Sequence, residues 1–174
     1  MMIRIAAAAA AVIALAAATS LRNDLYDSEM TLYGDTVAKS PDKARVRNNL
    51  GEVLRKAGRI EDARAHLERA LELAPDYPDA LNNLATVYMA YRRFDRATEL
   101  LLRTLELRPE HLDARFNLAM VLYERGMRQE AAMHFEQVLL KDPKGKNAAF
   151  SAGMLRLMLQ GGRTGSPTSG PARR

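Results

Sequence analysis

Three asparagines, Asn49, Asn83 and Asn117, stand 34 residues apart. A primary amide carries two N–H donors and a carbonyl acceptor, so a row of such side chains can hydrogen-bond the backbone of an extended peptide whatever its sequence. Their alternative role is to tie neighbouring helices together. Other residues able to do chemistry are poorly placed for it. His66, His111 and His134 are read as standing outside any ladder. With no cysteine and no paired-histidine spacing in the chain, they read as surface or packing side chains rather than metal ligands. Ser151 lacks the flanking residues of a nucleophile elbow, and Gly161-Gly162 opens a tail rather than a phosphate-binding helix. The pair Glu61-Asp62 reads as exposed helix charge, favourable near a helix start. The expectation is therefore a non-enzyme with no catalytic residue, no cofactor, no metal and no small-molecule substrate.

What must position the amides is a repeat. Pro41, Pro75, Pro109 and Pro143 keep the same 34-residue interval, and with only 7 prolines in the chain this cannot be chance. Leu50, Leu84 and Leu118 form another ladder, the small residues Gly51, Ala85 and Ala119 follow, and Ala63, Ala97 and Ala131 make a further row. Between and beyond the small residues stand Leu54, Tyr88 and Leu122, then Leu67, Leu101 and Phe135, all on helical spacing. Two antiparallel helices approach closely only where side chains are small, with bulky residues filling the flanks. Gly58 and Gly126 suit the turn within a pair, and each ladder proline is expected to end the second helix. One such unit cannot bury its apolar face alone, whereas about three stacked units can.

The segments NNLGEVLRKAGRIEDARAHLERALELAP, NNLATVYMAYRRFDRATELLLRTLELRP and FNLAMVLYERGMRQEAAMHFEQVLLKDP resemble the tetratricopeptide repeat family in their small, large and proline positions. They depart from it at Arg47, Leu81 and Arg115, where the family often places tryptophan or another bulky residue. The resemblance implies an all-α, right-handed α-solenoid of about three helix pairs: repeat 1 over 44–77, repeat 2 over 78–111 and repeat 3 over 112–145. It also implies a concave groove lined by the first helices. Asn48, Asn49, Glu52, Arg55 and Lys56 would line it from repeat 1. Asn82, Asn83, Thr86 and Met89 would follow from repeat 2, and Asp113, Phe116, Asn117, Met120 and Tyr123 from repeat 3. The lining changes from charged to apolar, and methionine adapts to an irregular apolar partner. The asparagine row is similar to the one in the repeats of O-linked N-acetylglucosamine transferase. Chaperone-binding members of the family clamp two carboxylates with Lys, Asn and Arg. The corresponding places here hold Asn48, Glu52, Asn83, Asp113 and Asn117, so an acidic carboxy-terminus is a disfavoured partner.

The ends differ from the middle. Met1–Arg4 is a short positive start, and Ile5–Ala18 is an unbroken apolar run ending in small residues, so 1–21 reads as a cleaved signal peptide or an uncleaved membrane anchor helix. Both readings place the remainder outside the cytoplasm. Residues 22–51 resemble the juxtamembrane stretch of bacterial multispanning membrane proteins and transmembrane O-mannosyltransferases. That resemblance implies periplasmic repeats beside the inner membrane. Within 22–43, Ser28–Lys39 is expected to be the second helix of a leading half-repeat, packing through Leu32, Tyr33, Thr36 and Val37. Residues 146–160 are expected to form a capping helix with no partner helix, and 161–174 a disordered tail. The net charge of +5 is scattered, which argues against a nucleic-acid partner. The expected function is a scaffold that binds a protein or extended peptide in its groove during assembly of a cell-envelope complex. The alternatives are an accessory subunit of a membrane enzyme such as a glycosyltransferase, or a structural subunit docked by its convex face.

Overall fold

The computed structural model describes residues 2–161. Among these, every regular element is an α-helix: α1 (Met2–Lys39), α2 (Ala44–Lys56), α3 (Ile60–Leu73), α4 (Pro78–Ala90), α5 (Phe94–Leu107), α6 (Leu112–Glu124), α7 (Arg128–Lys141) and α8 (Ala148–Gly161). The 34-residue interval is kept by the helix starts Ala44, Pro78 and Leu112, and again by Ile60, Phe94 and Arg128. The chain divides into two compact units, Met1–Val87 and Tyr88–Arg174. In the first, α2 packs against α3 and α1; in the second, α6 packs against α5 and α7, and α7 against α8.

Each second helix stops two residues before its ladder proline, at Lys39, Leu73, Leu107 and Lys141. The cause is the residue preceding the proline, whose backbone is pushed out of the helical region by the pyrrolidine ring. Ala74, Arg108 and Asp142 accordingly sit at φ −145°, −140° and −142°. The turn inside each pair is equally regular. Gly58 N–H donates to the Arg55 carbonyl (3.0 Å) and Arg59 N–H to the Leu54 carbonyl (2.9 Å), and the same two bonds recur at Gly126 and Met127. This double closure of a helix end needs a residue with positive φ. Gly58 and Gly126 supply it at +81°, while the middle repeat places Arg92 there at φ 56°, with its guanidinium over the Phe94 ring.

The core of each unit is the set of ladders. Leu50, Leu54, Ala63, Leu67 and Ala70 are buried in the first unit, and Ala97, Leu101, Leu118, Ala119, Leu122, Ala131 and Phe135 in the second. The approach at Gly51 is tight: a methyl group added there would lie 2.6 Å from Leu67 Cγ and 3.2 Å from the Ala63 carbonyl oxygen.

The stretch expected as a leading half-repeat is helical over Ser28–Lys39, with one correction. Its helix is the last part of α1, continuous with the apolar amino-terminal run, and Tyr33, Thr36 and Val37 are only half-buried while Leu32 is 63% exposed. Leu67, Leu101 and Phe135, the counterparts of Tyr33, are fully buried, whereas α1 packs on α2 and, among the described residues, has no first helix of its own pair. The carboxy-terminal helix starts at Ala148, two residues later than expected, after a turn in which Gly145 N–H donates to the Asp142 carbonyl (3.2 Å). The signal or anchor expected over 1–21 falls mostly on side chains outside the described residues, as does the tail from residue 162 on. Among the described residues no helix is long and apolar enough to cross a membrane.

Replacing Gly51 by Ala is expected to lower stability by about 1 kcal/mol, since overpacking costs ~1–3 kcal/mol and helix propensity returns about 1. Gly153 occupies the same register in α8 with nothing within 4 Å of an added methyl. There Ala should raise stability by up to about 1 kcal/mol. Denaturant unfolding of the two variants checks the opposite signs.

Candidate functional site

The residues expected to line the first helices divide between the units by chemistry. In the first unit the amides bond to one another. Asn83 Nδ2 donates to Asn48 Oδ1 at 2.9 Å, and Asn48 Nδ2 donates to Asn49 Oδ1 at 3.3 Å, so one chain of amides joins α2 to α4. Asn48 is only 4% exposed and Asn82 7%, which makes both interior rather than lining residues. Around them, Thr86 Oγ1 donates to the Asn83 carbonyl (2.7 Å), and Glu52 pairs with Lys56 (2.7 Å). Arg55 is half-buried, with its Nε shielded and unpartnered. Within this unit the asparagine row acts first as a tie between helices.

In the second unit the same register is aromatic. Phe116 and Phe150 occupy the places of Asn48 and Asn82, and their rings meet edge to face at 5.5 Å, while Phe116 also meets Phe135 at 5.8 Å. Met120 and Tyr123 follow along α6 at helical spacing, half-buried, as are Met89 and Asn117. Asp113 at the start of α6 accepts from Asn147 Nδ2 (2.9 Å) and Lys146 Nζ (2.8 Å), fastening α8. Polar ties therefore hold the first helices at one end of the chain and aromatic contacts hold them at the other.

A second pattern went unread in the sequence. His66 and His134 share one register, two intervals apart, as do Arg47 and Arg115; the middle repeat has Leu100 and Leu81 at the same places. Arg47 Nε donates to the Pro41 carbonyl at 2.5 Å, and Arg115 Nη2 to the Pro109 carbonyl at 2.6 Å. The arginine departures thus staple the start of a first helix to the proline turn before it. Beside each stands a half-buried histidine whose Nδ1 is shielded and unpartnered. Burial lowers the pKa of His66 below its ordinary value, the Arg47 guanidinium lowers it further, and Asp62 opposes them. His134 is lowered by burial and by Arg115, against Glu130. His111 acts otherwise, with its Nδ1 accepting from Ala114 N–H (3.2 Å) and so capping α6. The coincidence of two His and two Arg at twice the ladder interval was the signal that could have revealed these pairs.

Three family models, each described as tetratricopeptide repeat, match residues 24–76, 54–107 and 82–140. Residues 24–140 therefore belong to the tetratricopeptide repeat family. Among solved structures, a crystal structure of MamA protein is similar at 25% identity and a TM-score of 0.59, over 69% of this chain and 66% of that one. The first tetratricopeptide domain of Spaghetti (RPAP3), bound to the HSP90 peptide SRMEEVD, matches at 21% identity and a TM-score of 0.63, over 70% of this chain and 94% of that one. YrrB, with its unusual peptide-binding site, matches at 24% and 0.59, over 79% and 71%. The last two likenesses show the fold alone. No curated protein matches the chain.

Removing the Asn83 amide strands the Asn48 oxygen in the interior, so Asn83→Ala is expected to cost about 1–3 kcal/mol of stability by denaturant titration. For the histidines, the folded pKa lies below the unfolded value. The unfolded chain takes up protons first as pH falls, so stability present above about pH 6.5 is lost below it. The melting temperature should drop between roughly pH 7.5 and 5.5. In the double variant His66→Leu, His134→Leu, which copies Leu100, that drop should flatten.

Proposed function

We propose that the chain is a non-catalytic scaffold that binds a partner protein through its first helices, in assembly of a cell-envelope complex. The observation that carries this reading is the apolar face of α6 and α8 in the second unit. Phe116, Met120 and Tyr123 recur one interval on as Phe150, Met154 and Leu157, and these six side chains are half-buried or exposed although all but the tyrosine are wholly apolar. A face of aromatic rings and methionines fits the apolar side chains of a partner. The Spaghetti domain and YrrB each bind a peptide on a similar fold, which supports the class of ligand.

The amide row supports a narrower role than a continuous clamp for peptide backbone, because one Asn83 donor is spent on Asn48. An acidic carboxy-terminal peptide remains a poor fit. Carboxylates stand at two clamp places, each neutralised within the chain: Glu52 by Lys56 and Asp113 by Lys146. The envelope location in this reading rests on the apolar run Ile5–Ala18 of the sequence.

A second reading, docking as a structural subunit through the second helices, has its own observation. Met133 and Leu140 are 59% and 83% exposed on α7, beside a shallow depression of about 560 Å³. A photo-crosslinking residue in place of Met120, compared with one in place of Met133, separates the two in the native membrane fraction. One dominant adduct from position 120 is the expected result; adducts from position 133 alone would replace the first reading by the second.

A further inference from the structure

The two ends of the fold are complementary halves of one helix pair. In each complete pair a first helix lies against a second: α2 with α3, α6 with α7. The α8 helix holds the register of a first helix, since Phe150 meets Phe116 and Asn147 meets Asp113 one interval apart. Among the described residues no second helix follows it. The residues that follow, Gly162–Arg174, include Pro167 and Pro171 among three glycines, a poor composition for supplying one. The carboxy-terminal part of α1 holds the register of a second helix, and its chain runs on to Met2 instead of turning back into a first.

The place left beside α8 is shaped for a helix. Gly153 continues the small-residue ladder of Gly51, Ala85 and Ala119, yet among the described residues nothing lies within 4 Å of a methyl group added there. A cavity of about 450 Å³ runs between α7 and α8, lined by Ala132 and Glu136 on one side and Leu155, Met158 and Leu159 on the other. One interval earlier Val121, the counterpart of Leu155, is fully buried in a helix that packs against both α5 and α7.

Charge decides the occupant. In α2 and α3, Gly51 lies beside Leu67; one turn nearer the connecting loop, antiparallel geometry brings Leu54 level with Ala63. The corresponding residues are Gly153 and Arg156 in α8, Tyr33 and Glu29 in α1. Arg156 is the one charged member of the row Leu54, Tyr88, Leu122, Arg156, and Glu29 is the one charged member of the row Glu29, Ala63, Ala97, Ala131. A pair built from α8 and α1 would set these two departures opposite each other with opposite charge. Neither has an ion-pair partner among the described residues.

We infer that α1 of a second copy of this chain docks against α8, in the place of the missing second helix. Gly153 then receives Tyr33, Arg156 pairs with Glu29, and the exposed Leu32 is covered. The contact uses different patches at its two ends, so it is heterologous, and copies add head to tail. It goes beyond the partner binding proposed above, because it names a second copy of this chain as the occupant and adds Leu155 and Arg156, which lie round α8 from Phe150, Met154 and Leu157, to a contact that Gly153 borders.

Sedimentation equilibrium of the full chain over a wide concentration range tests it. Glu29→Arg alone and Arg156→Glu alone should each weaken association by roughly tenfold through like-charge contact, and the double exchange should restore it. A chain that stays monomeric throughout, or a double exchange as weak as the single ones, would overturn the inference. The chain has no cysteine of its own, so mixing Tyr33→Cys chains with Gly153→Cys chains under oxidation reads the register directly. A disulfide-linked heterodimer is expected. Association without that crosslink would place the self-contact elsewhere, for example in the apolar stretch of α1, and would equally overturn the inference.

Discussion

The distance of closest approach between the two helices of a pair governs this structure. At Gly51 that distance leaves no room for a methyl group against Leu67. At Ala119 in the second unit it admits one, and that residue is completely buried. Once the backbones are that close, the bulky residues on either side have one place to go, and the apolar ladders become the core. The short turns follow from the same closeness, since each pair must reverse within a few residues. The left-handed residue at positions 58, 92 and 126 achieves this with two backbone hydrogen bonds.

A strict repeat leaves freedom in whatever fills the register beside that contact, and this chain uses it in coupled sets. Where a first helix begins with arginine, at Arg47 and Arg115, the second helix places histidine beside it; where the sequence has leucine in the first register, at Leu81, it has Leu100 in the second. Each guanidinium donates to a proline carbonyl and the neighbouring imidazole packs beside it, so the two positions change together. Asn48 and Asn82 give way to Phe116 and Phe150 by the same logic. A buried amide needs another amide, and a ring needs another ring. The change in surface character from the first unit to the second is thus a consequence of how neighbouring first helices are joined.

The terminal half-repeats are where the pattern stops satisfying itself. Interior helices of a repeat array bury both flanks, and end helices need either a polar outer face or a partner. The α8 helix keeps Leu155, Leu157 and Leu159, and α1 keeps Leu32 and Tyr33, so neither has the polar outer face of a dedicated cap. Their two charged departures, Arg156 and Glu29, fall in the rows that face each other within a pair.

The sequence by itself determined the helix pairs, their limits and their core, because the proline, small-residue and leucine ladders each act through local sterics or through contacts inside one 34-residue unit. It also carried the identity of the family. Only the tertiary structure decided what the polar residues do. Asn83 and Asn48 look like free amides in the sequence and are joined across 35 positions in the fold. Arg47 and Arg115 look like flaws in an apolar ladder and turn out to hold the proline turn through carbonyls six residues away. Leu32, expected to pack, is exposed, and among the described residues no first helix pairs with its own. Apolar residues announce their role by spacing, since burial is non-directional. A polar side chain has its role set by the one atom that meets it, and that atom is chosen when the helices come together.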